Sequence, residues 1–382
     1  MNSGARRWAG RTTDRLSFWC GLAGVVGSVL ALAVSSSACA QGPSAGPASA
    51  PLLPIRSAAS TQVPRLHASQ IGLVVNTADA YSMRVGDYYV RKRGLTPEQV
   101  LRVELPLRAA LSVAEFESLR RAITDRFGPR IQALALAWVA PYAVECNSIT
   151  GALALGFDGE LCRHGCSASK PSRYFNTGSA RPLLDFGIRP SMLLAAPSIE
   201  QAIALIDRGV AADGSLLMRG HPPVTAMFLT TSDAARGVRS ALYPPPGRLA
   251  AANVEVRIAP ADALKDSPHV LLAITGSARL NLPPVIDWVA GALADHLTSI
   301  GGVLDGRHDQ STALEWIASG ATASYGSVSE PCNHRQKFPH PQLLLLYYLR
   351  GSTAIEAYWK SVAWPQQGLF IGEPLAAPFA NR

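Results

Sequence analysis

Short apolar runs alternate with segments of helical periodicity from residue 71 to the C terminus of this 382-residue chain. The first unit reads as a buried strand at 71–76, a helix at 83–93 and a second strand at 100–105. A strand, a helix and a strand in succession imply a parallel pair, because parallel strands need a long crossover between them. The alternation therefore predicts an α/β domain with a mostly parallel sheet flanked by helices.

The rest of the chain continues this pattern with one interruption. Further helices are predicted at 113–127, 198–209, 311–319 and 355–362, and further strands at 131–139, 226–231, 254–258, 269–275, 293–299, 321–325 and 369–372. Asn76, Asp79 and Ser82 form a loop that can cap the helix at 83–93, and Gly94 ends that helix. Ser198 is the predicted N-cap of the helix at 198–209, and Gly209 is expected just past its end. Residues 141–190, which hold three cysteines among Pro and Gly, are predicted to be an irregular, disulfide-tied insertion within a single domain at 67–382.

The N terminus has the pattern of a signal peptide. Four arginines and one aspartate precede an apolar stretch at 16–34, and Ala38-Cys39-Ala40 fits a small-residue cleavage site after Ala40. Cys39 also lies in a loose lipobox, so a lipid anchor at Cys39 is the alternative. An uncleaved membrane anchor is less favoured because three glycines interrupt the apolar stretch. We therefore expect an exported protein, periplasmic or secreted, with residues 1–40 removed and a Pro/Ala/Ser-rich disordered linker at 41–66.

The cysteine count agrees with export. Four of the six cysteines remain outside the signal: Cys146, Cys162, Cys166 and Cys332. An even number in an oxidising compartment predicts two disulfides, for which three connectivities exist. We favour a local Cys162–Cys166 bridge and a long-range Cys146–Cys332 bridge.

The net charge of +8 does not indicate a nucleic-acid partner. Residues 1–40 contribute four arginines and one aspartate, or +3, which leaves +5 on the remainder. The sequence has no run of Lys and Arg interleaved with aromatic residues, which nucleic-acid binding would favour. We expect no nucleic-acid partner, and membrane contact only through the signal peptide or a lipid anchor.

The strand predicted at 293–299 carries the candidate catalytic residues. Thr298 or Ser299 would be the nucleophile at the carboxyl end of the strand, beside Gly301 and Gly302 as possible oxyanion donors. His296 lies two residues before Thr298 on the same strand face and is the candidate base. An acid such as Asp295 or Glu330 would complete the set. The competing interpretation is a tight turn with His296 satisfied in the core.

Candidate binding residues follow the neighbouring strands. Thr275 and Ser277 end one strand, and Asp233 follows another, where side chains face the ligand crevice of an α/β sheet. Asp233 is alternatively a helix N-cap.

A metal site is the alternative to disulfides for two of these cysteines. Cys162, His164 and Cys166 could supply three ligands, with a fourth from His221, His308 or Glu145. The spacing and the oxidising compartment favour disulfides, so we predict no metal and no cofactor.

Several uncommon strings resemble an exported bacterial family of unknown function. The resemblance runs from about residue 70 to the C terminus and rests on 88–94 (Tyr-Tyr-Val-Arg-Lys-Arg-Gly), 187–192 (Gly-Ile-Arg-Pro-Ser-Met), 294–302, 320–326, 330–332 (Glu-Pro-Cys), 337–339 (Lys-Phe-Pro) and 356–361 (Glu-Ala-Tyr-Trp-Lys-Ser). The family has no established activity, so the resemblance implies a fold and export only.

Residues 270–375 also resemble, more distantly, gingipain-type cysteine peptidases of the caspase-haemoglobinase fold. The resemblance lies in the order of strands and in the ending Gly-Glu-Pro-Leu at 372–375. In that family the catalytic His and Cys follow two successive strands. Here Ser277 stands at the position of the His, and Thr298 or Ser299 at that of the Cys. The resemblance therefore implies a gingipain-like sheet without the Cys–His dyad.

Two functions remain open from the sequence. The first is a non-peptidase binding or scaffold protein on this fold. The second is a hydrolase that uses Thr298 or Ser299 with His296 as base.

Overall fold

The computed structural model describes residues 63–218, 220–306 and 309–381, and these described residues lie in one compact unit. The predicted signal peptide, Cys39, His308 and most of the predicted linker lie outside the described residues. The strands are β1 Ile71–Asn76, β2 Val100–Val103, β3 Ala110–Leu111, β4 Ala133–Leu136, β5 Ala143–Val144, β6 Asn147–Ser148, β7 Ser191–Leu193, β8 Val224–Thr230, β9 Gly247–Leu249, β10 Val254–Pro260, β11 Val270–Gly276, β12 Trp288–Leu297, β13 Ala323–Ser327 and β14 Gly368–Gly372. The α-helices are α1 Ala80–Arg93, α2 Val113–Arg126, α3 Ile149–Leu155, α4 Glu160–Arg163, α5 Pro182–Phe186, α6 Ile199–Ala212, α7 Ala313–Ser319, α8 Pro341–Leu349 and α9 Ala354–Ser361.

Eleven strands form one sheet in the order β2-β1-β4-β7-β14-β13-β12-β11-β8-β10-β9. Strand β1 runs parallel to β2 and β4, and β12 runs parallel to β11 and β13. Strand β8 is parallel to both β10 and β11, whereas β13–β14 and β9–β10 are antiparallel pairs. Strands β3, β5 and β6 form a separate small sheet. These pairings confirm the predicted α/β class with a large, mostly parallel sheet.

Local sequence chemistry explains where the first helix begins and ends. The Asp79 side chain accepts a hydrogen bond from the Tyr81 amide and so caps α1. Gly94 ends the helix in the left-handed conformation, at φ 64°. Three basic residues in the last turn complement the negative end of the helix dipole. Gly94 was the predicted end of the helix, whereas the helix begins three residues before the predicted start at 83, with Asp79, one of three predicted capping residues, as its cap.

Helix α6 is longer than predicted. Ser198 caps it as expected, but the helix continues to Ala212, so Gly209 lies inside it. A Cβ atom at position 209 would lie 2.5 Å from Cγ of Glu373. Gly209 therefore does not end the helix. Its lack of a side chain instead allows the Glu373 side chain to pack against the helix.

Glu373 belongs to a buried ionic cluster that joins α1 to the end of β14. Arg93 donates from Nε to Oε1 at 2.9 Å and from Nη2 to Oε2 at 2.6 Å. The Tyr89 hydroxyl donates to the same carboxylate at 3.0 Å, and burial raises the pKa of that hydroxyl. Because Glu373 is fully buried, this bidentate pair holds its negative charge in place.

The packed core includes Leu66, which the sequence assigned to the linker. Leu66 is fully buried, and its amide donates to Oε2 of Glu356 at 3.1 Å. The same carboxylate accepts from the amide and hydroxyl of Thr353 at the start of α9. The segment before β1 is therefore tied to a C-terminal helix.

The two predicted disulfides are present, but their pairing was predicted wrongly. Cys146 is bonded to Cys162, and Cys166 to Cys332. Asn147 explains the first pair, because its amide exchanges hydrogen bonds with the backbone of Asp158 at 2.9 and 3.0 Å. This contact brings the chain leading to Cys162 beside Cys146.

The segment at 141–190, predicted to be irregular, contains β5, β6 and the three short helices α3, α4 and α5. In the part of the chain described, no helix is both long and apolar enough to cross a membrane. The two disulfides indicate an oxidising environment.

Candidate functional site

A pocket of about 250 Å³ lies where strands β8, β12 and β13 end. We call it the strand-end pocket; it is lined by Ala235, Arg236, Leu297, Thr298, Ser299, Glu330, Pro331, Cys332 and Asn333. The carboxyl ends of parallel strands meet at one edge of a sheet, which is where α/β folds place ligand sites. The structure therefore brings predicted Thr298, Ser299 and Glu330 to one pocket.

Arg236 supplies the positive charge of the strand-end pocket. Its Nη1 lies 2.7 Å from Oδ2 of Asp233, and its Nε donates to the Thr298 hydroxyl at 3.3 Å. The other Asp233 oxygen accepts from the Arg236 amide at 3.0 Å. These hydrogen bonds to Arg236 lower the pKa of Asp233. Asp233 thus closes the turn and fixes the direction of the guanidinium. It is not a helix N-cap as the alternative interpretation expected, because the short 3-10 helix that follows begins at Gly237 with Arg236 as its cap.

Thr298 is not a free hydroxyl. It is buried, and its Oγ1 donates to Oε1 of Gln310 at 2.5 Å while accepting from Arg236. The same Gln310 oxygen accepts from the Ile300 amide at 3.3 Å. A nucleophilic threonine must lose its hydroxyl proton to a base. Here that proton is donated to an amide oxygen, which is not a base at ordinary pH.

His296 does not pair with Thr298. It is fully buried, its Nδ1 accepts from the Trp316 indole at 3.1 Å, and its Nε2 lies 3.0 Å from the Ser311 carbonyl. An indole N–H only donates and a carbonyl only accepts, which fixes the neutral tautomer with its proton on Nε2. Burial lowers the pKa of His296 to about 4. Both ring nitrogens of His296 are hydrogen-bonded inside the core, so His296 does not serve as a base for Thr298.

Asp295 points away from the strand-end pocket. It is fully buried, and its Oδ1 lies 2.6 Å from Nη2 of Arg239, which is also buried. Arg239 in turn donates to the carbonyls of Thr275 and Pro339 at 2.9 and 3.2 Å. Burial raises the pKa of Asp295, and the arginine charge opposes that shift. This ion pair joins strand ends beneath the surface and does not complete a catalytic set.

The predicted oxyanion glycines serve a close crossing of two chain segments. A Cβ on Gly302 would lie 2.5 Å from the Gly326 carbonyl oxygen, and one on Gly326 would lie 2.3 Å from the carbonyl carbon of Gly301. The Gly302 amide is also occupied, because it donates to the Ser327 carbonyl at 2.8 Å. The glycines are thus explained by backbone packing.

The remaining predicted binding residues lie at the end of β11. Thr275 is nearly buried and contributes its carbonyl to Arg239. Ser277 is bonded through its hydroxyl to the carbonyl of Arg279, two residues on. Neither residue lines the strand-end pocket.

The loop after β13 forms the outer wall of the strand-end pocket. Cys332 and Asn333 adopt positive φ angles of 56° and 45°, which non-glycine residues adopt only when their surroundings hold them. The Cys166–Cys332 disulfide fixes one side, and the Asn333 side chain donates to the Ala235 carbonyl at 3.2 Å on the other. The Glu330 carboxylate accepts from the Cys332 amide at 2.7 Å and is exposed.

Sequence reasoning missed Arg236 and Gln310. The three-residue spacing between Asp233 and Arg236 could have suggested the ion pair. No sequence pattern marks Gln310, because its contact with Thr298 depends on a loop returning to the strand end.

The metal alternative at Cys162 and Cys166 is excluded by the structure, since both sulfurs are in disulfides. Over the residues that the structure describes, no group of three or more His, Cys, Asp or Glu side chains is placed to hold a metal ion.

Comparisons with known proteins give little. No family model matches the sequence, and no curated protein matches it. A solved structure described as "Structure of Protease" is similar to this chain at 10% identity, covering 81% of this chain and 78% of that chain with a TM-score of 0.45. At that level the likeness is distant.

Proposed function

We propose that the protein is an exported binding protein, not a peptidase, that holds a small polar ligand in the strand-end pocket. The sheet would be of the gingipain-like type that residues 270–375 resemble. Ser277 would stand at the position of that family's catalytic His, and Thr298 or Ser299 at that of its Cys. The hydroxyl of Ser277 is hydrogen-bonded to the Arg279 carbonyl and that of Thr298 to the Gln310 side chain, which supports a role other than catalysis. The location is proposed to be periplasmic or secreted, in agreement with the two disulfides.

The proposal rests on one observation: the guanidinium of Arg236 is only partly engaged in hydrogen bonds. Two of its three nitrogens are held by Asp233 and Thr298. Among the described residues no acceptor is bonded to Nη2, and the side chain is 25% exposed at the pocket. A guanidinium oriented in advance and left partly unpaired favours a carboxylate.

The negative charge of Glu330 restricts the class of ligand that the pocket would hold. The exposed carboxylate of Glu330 lies in the same lining and favours an ammonium group. The volume of about 250 Å³ is below the usual range for drug-sized ligands, which starts at about 300 Å³. A free amino acid or the end of a short peptide carries both charges at this size, so we assign that ligand class.

Calorimetry with small zwitterions tests the proposal. The titrants are free amino acids and dipeptides, each compared with its N-acetylated and C-amidated forms. The unblocked forms should bind best. Arg236→Gln should weaken carboxylate binding by about tenfold to a hundredfold, since a charge-assisted hydrogen bond contributes about 1.5–3 kcal/mol. Arg257→Gln, which removes an exposed ion pair with Glu255 on β10, is the matched control.

Further readouts separate binding from catalysis. Glu330→Gln should weaken the unblocked ligands and leave the N-acetylated ones unaffected. Dipeptides recovered after long incubation should be intact. Equal affinities for wild type and Arg236→Gln would contradict the site, and cleavage of a dipeptide would contradict the absence of catalysis.

A further inference from the structure

A second cavity lies between α2, α3 and α5, away from the strand-end pocket. Its volume is about 730 Å³, within the range of sites that enclose small organic ligands. It shares no lining residue with the strand-end pocket. We call it the helical cavity; its lining has an apolar part and a basic part.

The apolar part consists of side chains that the fold leaves half-buried. Buried Ile123 and Leu134 form its floor, and its walls are the partly exposed Leu153, Leu155, Phe157, Leu183 and Phe186. Helix α3 ends at Gly156, and α5 ends at Gly187; an added Cβ at either glycine would have no atom within 4 Å. The two helices therefore end beside open space that has an apolar lining.

The basic part has more cations than the protein neutralises. Arg120, Lys170, Arg173 and Arg189 line the cavity with one acid, Glu117. Arg120 is paired with Glu117 at 2.7 Å. Arg189 donates to the carbonyls of residues 127, 128 and 131 at 3.0 to 3.3 Å.

Two cations are left over. Lys170 and Arg173 are exposed, and neither forms an ion pair or a side-chain hydrogen bond with any residue that the structure describes. Only Pro171 and Ser172 separate these two cations along the chain. A pair of free cations beside an apolar cavity complements a molecule with one anionic end and one apolar end.

We propose that the helical cavity binds an amphipathic anion, with an alkyl chain against the apolar walls and a carboxylate or phosphate against Lys170 and Arg173. The chain contributes through burial of apolar area, about fourfold in affinity for each methylene removed from water. The head group contributes through charge, so its share weakens as salt screens it. Neither part depends on the strand-end pocket.

Calorimetry on the intact protein tests this with five probes, one of which is octanoate, a shorter homologue of decanoate. Decanoate and decyl phosphate carry both features, decanol lacks the charge, and inorganic phosphate lacks the chain. Decanoate and decyl phosphate should bind at one site, more weakly at high salt, and octanoate, with two methylenes fewer, should bind about fifteenfold more weakly than decanoate. Decanol and inorganic phosphate should each bind at least tenfold more weakly than decyl phosphate.

Matched variants locate the site. Lys170→Ala/Arg173→Ala should weaken decyl phosphate at least tenfold, whereas Arg248→Ala/Lys265→Ala, with the same loss of charge on distant exposed residues, should not. Ala154→Trp should fill the cavity and block both amphiphiles, with circular dichroism to verify folding. Equal binding of decanol and decanoate, equal effects of the two double variants, or binding of an acidic peptide but of no amphiphile would each overturn the proposal.

Discussion

The buried imidazole of His296 predicts that the protein loses stability in mild acid. Its pKa is about 4 in the folded state against 6.5 in the unfolded chain, because burial disfavours the charged form. The unfolded state therefore binds the proton first. This contribution to stability is complete above pH 6.5, declines as the pH falls, and levels off below about pH 4. Relative to neutral pH, protonation of this histidine in the unfolded chain lowers the free energy of unfolding by about 2 kcal/mol at pH 5 and by about 3 kcal/mol at pH 4.

The perturbation is His296→Gln. The glutamine amide can still donate toward the Ser311 carbonyl but leaves the Trp316 indole without its acceptor. At pH 7 the variant should be less stable by about 1–3 kcal/mol, the cost of one unsatisfied buried donor. Because glutamine does not titrate, the gap should narrow by about 2 kcal/mol between pH 7 and pH 5.

Urea unfolding at a series of pH values measures both quantities. Acidic residues also titrate in this range, so the wild-type curve alone is not sufficient, and the difference between the two proteins isolates His296. Thr298→Val, a change directly after the same strand that adds no titrating group, should keep the wild-type pH slope. A constant gap between wild type and His296→Gln from pH 7 to pH 5 would refute the buried neutral imidazole.

Three other changes test parts of the fold. Gly326→Ala should lower stability by about 1–3 kcal/mol or more, seen as a lower Tm, because its Cβ would lie 2.3 Å from backbone; an unchanged Tm would disprove the close crossing. Cys166→Ser/Cys332→Ser should cost about 2–5 kcal/mol in urea unfolding, since the bridge spans 166 residues, and no loss would contradict its structural role. Arg93→Met should cost about 3–5 kcal/mol because it strands the buried carboxylate that Arg93 neutralises, and a loss below 1 kcal/mol would show that the carboxylate is not buried with its charge.

The sequence was sufficient where structure depends on neighbouring residues. Asp79 and Ser198 cap their helices through hydrogen bonds to amides two or three residues away, so the start of α6 was predicted correctly and α1 begins only three residues before its predicted start at 83. The parallel pairing of β1 and β2 follows from the helix between them. The prediction that Gly209 follows the end of the helix was wrong. A glycine is needed there because of contact with Glu373, which lies near the other end of the chain.

The candidate site was predictable in place but not in chemistry. The apolar run at 293–299 placed Thr298 near the end of a strand, and the strand ends one residue before it. The partners of His296, by contrast, come from Ser311 and Trp316 in a later loop and helix. The cysteine pairing failed for the same reason, since Cys166 meets Cys332 only after the sheet has formed. Tertiary contacts decided which polar groups were free, and the sequence alone does not contain them.

The most direct test of the central claim asks whether any hydroxyl of the strand-end pocket is activated. Intact-mass analysis after treatment with a fluorophosphonate probe should show no adduct, because Thr298 is bonded to Gln310 and His296 is engaged in the core. An adduct that forms on the wild type and disappears in Thr298→Ala/Ser299→Ala would contradict the account and support a hydrolase.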